Sequence, residues 1–399
     1  MAYLPNLIFC TLLIISVGFF TRNLKRIHRN IGLGRDLDRN DYPKLRMKNM
    51  LLLAFGQKKM INRPVVGILH LVVYVGFILI NIELLEILLD GIFGTHRVFA
   101  PYLGSLYNFL IAMFEIFALL VLVAVIFFWT RRNVSKIKRF WKREMKGWPK
   151  QDADNILYFE VILMVLFLSM NATDSLLQNF GAESYIKAGS FPVSQFLTPL
   201  FEEFKLETLM ILERSFWWLH IIGIFAFLNY LYYSKHLHIL LAFPNTYFAN
   251  LETKGKSTVN QHIKSEVQLM LNPQGSKPES SSSIPDKFGA TDVFDLSWVQ
   301  LMNSYSCTEC GRCSSECPAN ITGKKLSPRA IMMKTRDRLE EVGENINKNG
   351  GKFISDGKQL LNDYIKPEEL WACTSCNACV EACPIEIDPL SIIMEMRQY

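Results

Sequence analysis

The sequence predicts an all-α membrane protein, with a bundle of five transmembrane helices followed by a small helical domain. Two observations lead to this fold class. Half of the 399 residues are hydrophobic, and the apolar residues gather into long runs. Eight of the nine cysteines lie near the C-terminus, where they form two copies of one short pattern.

Five apolar runs are long enough to cross a membrane. Each has about 19 or more residues, and about 20 are needed to span a hydrocarbon core of roughly 30 Å. A buried core helix would explain any single run, but five in succession favour membrane spans. The first run has no basic flank before it and no small-residue cleavage site, so we expect a retained span rather than a signal peptide. The predicted spans are Tyr3–Thr21, Pro64–Ile82, Leu103–Trp129, Ile156–Ser175 and Phe216–Leu241.

The loops between the spans differ in charge. Arg22–Arg63 carries 12 Lys and Arg against three Asp, and Arg131–Lys150 carries nine against one Glu. Asp90–Pro101 is nearly neutral, and Asp174–Arg214 is net acidic. Because basic loops stay in the cytoplasm, we expect the N-terminus outside, the C-terminal domain inside, and a location in the bacterial inner membrane. The net charge of +6 then reflects topology and contact with lipid headgroups rather than nucleic-acid binding.

The cysteine pattern reads C-x2-C-x2-C-x3-C-P in both copies. In bacterial-type ferredoxins this run holds [4Fe–4S] clusters, and the fourth cysteine of each run ligates the other cluster. Disulfides or zinc knuckles are the alternative, but two full copies favour two clusters in a ferredoxin-like domain. Cytoplasmic thiols also stay reduced and available to iron. The expected ligands are Cys307, Cys310, Cys313 and Cys383 for one cluster, and Cys373, Cys376, Cys379 and Cys317 for the other.

The region after the last span divides into a linker and a helical domain. Asn272–Asp286 is rich in Ser and Pro, which predicts a flexible tether. A short amphipathic helix is expected over Val293–Ser304. Ser327, followed by proline, predicts the N-cap of a helix that continues to about Val342. The predicted domains are a membrane domain over 1–250, a connector over 251–290 and a cluster domain over 291–399.

The histidines are a second chemical signal. His220 and His238 are 18 residues apart in the predicted last span. That separation is five helical turns, so we expect both on one helix face, about 27 Å apart. His70 lies a short way into the second span, at a depth that matches His238. Two intramembrane histidines at one depth on different helices suit a bis-imidazole haem b. Interfacial or hydrogen-bonded histidines are the alternative.

Several stretches of the chain resemble known families. The second-span segment PVVGILHLVVYVG and the fifth-span segment WWLHIIGIFAFLNYLYYSKHLHI resemble the di-haem gamma subunit of respiratory nitrate reductases. The segments CTECGRCSSECPAN, LSPRAIMMKTR and LWACTSCNACVEACPIEIDPLSII resemble the C subunits of heterodisulfide reductases and related iron–sulfur oxidoreductase proteins. Together these resemblances cover most of the chain.

The first resemblance implies haem ligands. His70 and His238 would bind the haem nearer the cytoplasm, and His220 would bind a distal haem. The second distal ligand is expected about ten residues after His70, where this chain has Ile80. One haem b is therefore expected, and a second only if another residue completes its ligands. His96 in an outer loop is a remote candidate for that ligand.

The second resemblance implies a partner. It would be a cytoplasmic cysteine-rich protein with CCG domains, like the B subunits of heterodisulfide reductases, that carries the substrate chemistry. This chain shows no nucleophile–base set, phosphate loop or nucleotide fingerprint, so we predict no catalytic residue in it. We expect a membrane-bound subunit of a respiratory-chain oxidoreductase, with quinone as the mobile carrier. A haem-free membrane-anchored ferredoxin and a redox-sensing membrane protein are the alternatives.

One acidic residue lies inside a predicted span. Glu115 falls near the middle of the third span, where an ionised carboxylate is costly. Proton exchange with a quinol, or pairing with His220 or Asn81, would explain it. A protonated carboxyl hydrogen-bonded between helices is the alternative.

Overall fold

The structure is a computed structural model that describes residues 3–253, 256, 261–272 and 287–399. The chain divides into two compact units. The first unit comprises Met1–Leu24 and Met60–Ser234, and the second comprises Lys25–Lys59 and Lys235–Tyr399. Apart from Asn272, the predicted tether lies outside the described residues.

Helices account for almost all of the regular structure in the described part of the chain, which has isolated β-bridges but no strand. The all-α prediction is therefore confirmed. In chain order the helices are α1 (Leu4–Ile31), α2 (Pro43–Met50), α3 (Pro64–Phe93), α4 (Ala100–Leu103), α5 (Ser105–Asn133), α6 (Trp148–Asn179), α7 (Leu206–Tyr230), α8 (His238–Tyr247), α9 (Gln261–Leu271), α10 (Trp298–Ser306), α11 (Arg312–Glu316), α12 (Pro318–Ile321), α13 (Pro328–Lys348), α14 (Pro367–Trp371), α15 (Ala378–Glu381) and α16 (Pro389–Arg397).

Within the described residues, five helices are long and apolar enough to cross a membrane, which confirms the predicted number. They are α1, α3, α5, α6 and α7. In the first unit α6 packs against α5 and α7, and α3 packs against α5. Small residues allow this close approach, as is common between membrane helices. A Cβ atom at Gly76 would lie 2.6 Å from Val121, and one at Gly223 would lie 2.8 Å from Leu163.

The fifth spanning helix differs from its predicted bounds. It begins at Leu206 rather than Phe216, and its α-helical part ends at Tyr230 rather than near Leu241. A short 3-10 turn follows, and then Ser234 adopts an extended conformation with φ −113° and ψ 147°. The apolar run in the sequence therefore covers two separate helices, because hydropathy does not show where one helix ends and the next begins.

The end of α7 corrects the predicted relation between two histidines. His220 lies on α7, whereas His238 is the first residue of α8. The helix stops because the residues from Lys235 onward belong to the second unit, where α8 packs against α2 and α10. His220 and His238 therefore do not share a continuous helix, and the predicted five-turn relation between them was wrong.

The second unit is built around α13, against which α10 and α16 pack. Helix α13 begins at the predicted N-cap, where Ala330 N donates to the Ser327 hydroxyl at 3.4 Å. It continues to Lys348, beyond the expected end at Val342. The helix expected over Val293–Ser304 is divided into a 3-10 turn and α10, which starts after a capping box at Ser297.

The segment Lys25–Lys59, predicted as a basic loop between spans, folds with the second unit. Arg46 is fully buried and donates to the carbonyl oxygens of Ala249 at 2.9 Å and Tyr247 at 3.2 Å. The Asn30 amide donates to the Tyr305 hydroxyl at 2.9 Å. Some basic residues of this segment are therefore buried and hydrogen-bonded within the second unit. The charge count alone did not indicate this. The domain boundaries at 250 and 290 stay a prediction.

Candidate iron–sulfur centre and polar membrane interior

The two cysteine loops share one backbone conformation. In each loop the second and fourth residues after the first cysteine have a positive φ, in the left-handed region that few side chains adopt. Repetition of these turns explains how three closely spaced cysteines can lie on one curved loop. The residues are Glu309 (φ 55°) and Gly311 (72°) in the first loop, and Ser375 (55°) and Asn377 (61°) in the second.

Backbone N–H groups donate to cysteine sulfurs. Ser375 N lies 3.4 Å from the sulfur of Cys373, and Ile387 N lies 3.3 Å from that of Cys383. Such hydrogen bonds stabilise the thiolate form, which is the form that binds metal. They are also one of the factors that set the reduction potential of an iron–sulfur cluster.

The thiols of the first run lie beside the fourth cysteine of the second run. Burial raises the pKa of Cys313 well above its usual range, and the thiols of Cys307, Cys310, Cys383 and then Cys379 raise it further. Burial likewise raises the pKa of Cys383 to about 12, with contributions from the first-run thiols. The structure thus brings Cys383 to the first loop.

The thiols of the second run lie beside the fourth cysteine of the first run. Burial raises the pKa of Cys373, and Cys317 and Cys376 contribute in the same direction. Burial also raises the pKa of Cys379 to about 12, with contributions from Asp388, Cys373 and Cys317. Helix α11 packs against α15, and this packing brings the fourth cysteine of each run close to the thiols of the other run.

The arrangement of these thiols fits clusters better than single metal ions. In the described ranges, no three His, Cys, Asp or Glu side chains converge as the ligands of one ion would. A mononuclear zinc site needs four ligands around one point, whereas a [4Fe–4S] cluster spreads its thiolates over four irons. Since burial raises the pKa of Cys313, Cys379 and Cys383, cluster binding at these thiols must release protons.

A buried ion pair network adjoins the first loop. Glu309 is 3% exposed, and its two carboxylate oxygens accept hydrogen bonds from Lys235 and Arg336. Burial opposes ionisation of Glu309, but the two cations outweigh it and lower the pKa of this carboxyl. Arg329, also fully buried, donates to the Glu309 carbonyl at 3.4 Å. Sequence reasoning missed this network because its members are far apart in the chain.

One thiol of the second group is exposed to solvent. Of the eight cysteines in the two runs, Cys376 alone is exposed, whereas Cys307, Cys317 and Cys379 are buried. Trp371, 68% exposed, lies near Cys376 in the chain, with the Arg397 guanidinium 5.0 Å from its ring centroid. The second group therefore reaches the protein surface.

The structure places the predicted haem ligands in different units. His70 lies on α3 in the first unit, and His238 begins α8 in the second. The Nδ1 atom of His238 is 3.1 Å from the Lys235 carbonyl oxygen, and burial lowers the pKa of this imidazole. His220 is 3% exposed, and its ring packs 5.9 Å from that of Phe167 on α6.

Glu115 contacts a loop that enters the bundle. It forms no hydrogen bond in the described structure with either suggested partner, His220 or Asn81. Its carboxylate accepts hydrogen bonds from Val193 N at 2.9 Å, Ser194 N at 3.1 Å, the Ser194 hydroxyl and the Asn171 amide at 3.1 Å. Asn81 instead donates to the carbonyl of its own helix. The suggested pairing of Glu115 with His220 or Asn81 was therefore wrong.

A larger polar network in the first unit was not predicted. Arg97 is 6% exposed and contacts Asp174, Asn171 and the Tyr107 hydroxyl. It was missed because the second span was ended at Ile82, whereas α3 continues to Phe93. Helical spacing could have indicated this network, because three acids are spaced so that they share one face of α3. These buried acids are Glu83, Glu86 and Asp90.

Comparison with known proteins supports an iron–sulfur protein. Residues 306–387 match the 4Fe-4S dicluster domain. The chain is 26% identical over 421 residues to "Probable iron-sulfur-binding oxidoreductase FadF" of Bacillus subtilis, which covers 98% of this chain and 55% of that relative. It is 24% identical over 387 residues to "EtfAB:quinone oxidoreductase" of Syntrophomonas wolfei, which covers 91% of this chain and 50% of that relative.

Shorter matches involve the cysteine region. The chain is 32% identical over 126 residues to "Probable membrane-anchored ferredoxin" of Chromohalobacter salexigens, which covers 28% of this chain and 18% of that protein. Several heterodisulfide reductase C subunits also match; that of Methanopyrus kandleri is 27% identical over 85 residues, 21% of this chain and 33% of its own length. No solved structure matches.

The fold and the comparisons define a class. The described part of the chain has five helices that could cross a membrane and a 4Fe–4S dicluster domain, and the chain is similar to a probable iron–sulfur-binding oxidoreductase and to a quinone oxidoreductase. It spans about half the length of the two relatives that match it nearly end to end.

Proposed function

We propose that this chain is the membrane-bound electron-transfer subunit of an oxidoreductase and passes electrons between the quinone pool and two [4Fe–4S] clusters. The observation that carries the proposal is the union, in one chain, of five potential membrane spans and two groups of neighbouring thiols. Similarity to a protein called a quinone oxidoreductase extends over 91% of the chain, so it includes the membrane helices.

Each cluster, when bound, supplies one-electron redox chemistry. The protein holds the irons through cysteine thiolates, excludes water by burial and tunes the potential through N–H groups and nearby charge. The proposed ligand sets are the crossed ones: Cys307, Cys310, Cys313 and Cys383, and Cys373, Cys376, Cys379 and Cys317. The neighbours of Cys313 and Cys373 support this assignment.

We further propose that His238 is a ligand of one haem b, whose second ligand, His70, stays a prediction. A carbonyl oxygen only accepts hydrogen bonds, so the contact of His238 Nδ1 with Lys235 places the proton on Nδ1. In this tautomer Nε2 carries the lone pair, which is the one that binds iron in a histidine-ligated haem, and the carbonyl orients the ring. A pyridine haemochrome spectrum tests this proposal. We expect His238→Ala to lose the b-type spectrum and His236→Ala to keep it. Absence of haem from the wild-type protein would exclude it. A distal haem at His220 stays a prediction.

The exposed thiol of Cys376 supports electron transfer to a partner protein. We propose that the partner is a cysteine-rich protein like the B subunits of heterodisulfide reductases, since the cysteine region matches C subunits of such enzymes. Electrons would then enter or leave near Cys376, the exposed thiol. Affinity purification of the full-length chain, followed by mass spectrometry, tests whether such a protein accompanies it.

The quinone link is tested with full-length protein in lipid nanodiscs. Electron paramagnetic resonance should show that a quinol reduces the clusters, or that a quinone oxidises clusters reduced with dithionite. Failure of every quinol and quinone would overturn the link while leaving the clusters intact.

A second candidate function is a haem-free ferredoxin relay tethered by its helices. The match to a membrane-anchored ferredoxin favours it. It predicts intact clusters without any b-type spectrum and without quinone reactivity.

The proposed location is the bacterial inner membrane, with the N-terminus outside and the clusters in the cytoplasm. The basic segments Arg22–Arg63 and Arg131–Lys150 support this orientation. Cysteine labelling of intact cells at introduced loop positions distinguishes the two orientations.

A further inference from the structure

One buried acid in the first unit has no structural role that its contacts explain. Glu83 is 4% exposed, and its Oε2 has no hydrogen-bond partner in the part of the chain that the structure describes. It lies about ten residues from the end of α3, which corresponds to about 15 Å along the helix axis. A carboxyl group at such depth in a membrane span is costly, so its presence points to function.

The surroundings of Glu83 are polar on one side. The charged groups that influence it are Arg97, Glu86 and Glu115. Glu86 lies one turn further along α3, on the same helix face. Glu115 differs from Glu83, because its carboxylate accepts hydrogen bonds from Asn171 on α6 and from the backbone of the entering loop. Glu83 is therefore a buried carboxyl that is not committed to such an anchor.

A row of polar groups begins at Glu86. The Tyr107 hydroxyl donates to Glu86 Oε2 at 2.8 Å, and Arg97 Nη1 lies 3.0 Å from that hydroxyl. Arg97 in turn pairs with Asp174 at 2.5 Å. Asp174 Oδ1 is 3.6 Å from His96 Nε2, in a loop outside the spanning helices. The His96 side chain is 17% exposed, so the row reaches the surface of the unit.

We propose that Glu83 exchanges protons with the quinone headgroup, and that the polar groups from Glu86 to His96 line the route by which protons move between Glu83 and the aqueous phase. This inference rests on the proposed quinone function. Reduction of one quinone to hydroquinone consumes two electrons, one from each cluster, and two protons. Both protons pass through the Glu83 carboxyl in turn, and it is reloaded from the Glu86 side. Hydroquinone oxidation reverses each transfer.

The test compares two oxidants of the clusters in full-length, cluster-loaded protein in nanodiscs. A short-chain quinone takes up protons with its electrons, whereas ferricyanide takes up electrons alone. Positioned proton transfer commonly contributes a factor of about 10² or more. We therefore expect Glu83→Gln to slow cluster oxidation by quinone at least about tenfold. Oxidation by ferricyanide should keep its wild-type rate.

Two further variants and a spectrum separate proton transfer from a structural role. Glu83→Asp keeps a carboxyl group and should restore part of the quinone rate. Tyr107→Phe removes the hydroxyl between Glu86 and Arg97 and should slow the same reaction. Redox-difference infrared spectra should contain a carboxylic C=O band that Glu83→Gln removes. Because Glu83 Oε2 has no partner to lose, Glu83→Gln should fold with wild-type thermal stability.

The possible outcomes are distinct. If wild-type clusters react with no quinone, the proposed function fails, and the role of Glu83 fails with it. If the wild-type protein reacts and Glu83→Gln reacts equally fast, only the role of Glu83 is overturned. Equal slowing with ferricyanide would also overturn it, because the variant would then have altered electron transfer or folding.

Discussion

Arg97 Nε lies 2.6 Å from Asp174 Oδ2, in an ion pair whose side chains are 7% and 1% exposed. Removing one member of a buried pair leaves the other charge uncompensated, which costs about 3–5 kcal/mol. We therefore predict that Asp174→Asn strongly lowers the free energy of unfolding, measured by denaturant titration in detergent. The matched control is Glu395→Gln, which breaks a pair with Arg35 that is partly exposed. It should cost at most about 1 kcal/mol. Equal costs would contradict a buried, dry pair.

The Glu115 carboxylate should be a structural anchor. One carboxylate oxygen accepts the backbone N–H groups of Val193 and Ser194, and the other accepts the Asn171 amide. A glutamine has a single acceptor oxygen, so its NH2 group would face one set of these donors. A buried donor without an acceptor costs about 1–3 kcal/mol. We predict that Glu115→Gln destabilises the protein by that amount, whereas Glu83→Gln does not, in the same thermal unfolding assay. Wild-type stability of Glu115→Gln would contradict the anchor.

Crossed ligation predicts the behaviour of double cysteine variants. Cys307→Ala with Cys383→Ala removes two ligands from one set and should leave the other cluster, with about half of the wild-type iron. Cys307→Ala with Cys317→Ala removes one ligand from each set and should disturb both clusters. Iron analysis and electron paramagnetic resonance measure these outcomes. The opposite pattern would indicate ligation within each run.

Acid should destabilise the first unit through His96. Burial lowers the pKa of His96 to about 4, although Asp174 opposes this and Arg97 and Arg214 add to it. The unfolded chain, with a pKa near 6.5, therefore takes up a proton before the folded protein does. The contribution is fully present above about pH 6.5 and is lost as the pH falls towards about 4, to a total of up to about 3 kcal/mol.

Unfolding measured across that pH range tests the prediction. His96→Gln should lose less stability than the wild-type protein between pH 6.5 and 4, and a change at the exposed His28 should have no effect on this slope. An unchanged slope in His96→Gln would assign the acid sensitivity to another group.

Properties that depend on neighbouring residues were predictable from the sequence. The five spans follow from the length of apolar runs, and the helix start at Ser327 follows from a local cap. The repeated cysteine spacing likewise indicated two equivalent loops, and both adopt the same left-handed turns. In each case the free energy comes from residues close in the chain, so composition and spacing suffice.

Only the tertiary structure decided which distant residues meet. Lys235 and Glu309 are 74 residues apart, and Arg97 and Asp174 are 77 apart, yet each pair is buried together. The end of α7 at Tyr230 and the packing of Lys25–Lys59 in the second unit also depend on such contacts. Charges and apolar runs in a sequence have a sign and a length but no partner. Folding removes both charged groups of such a pair from water, which costs free energy. Their attraction offsets this desolvation cost only where the fold brings the two groups together in a favourable geometry.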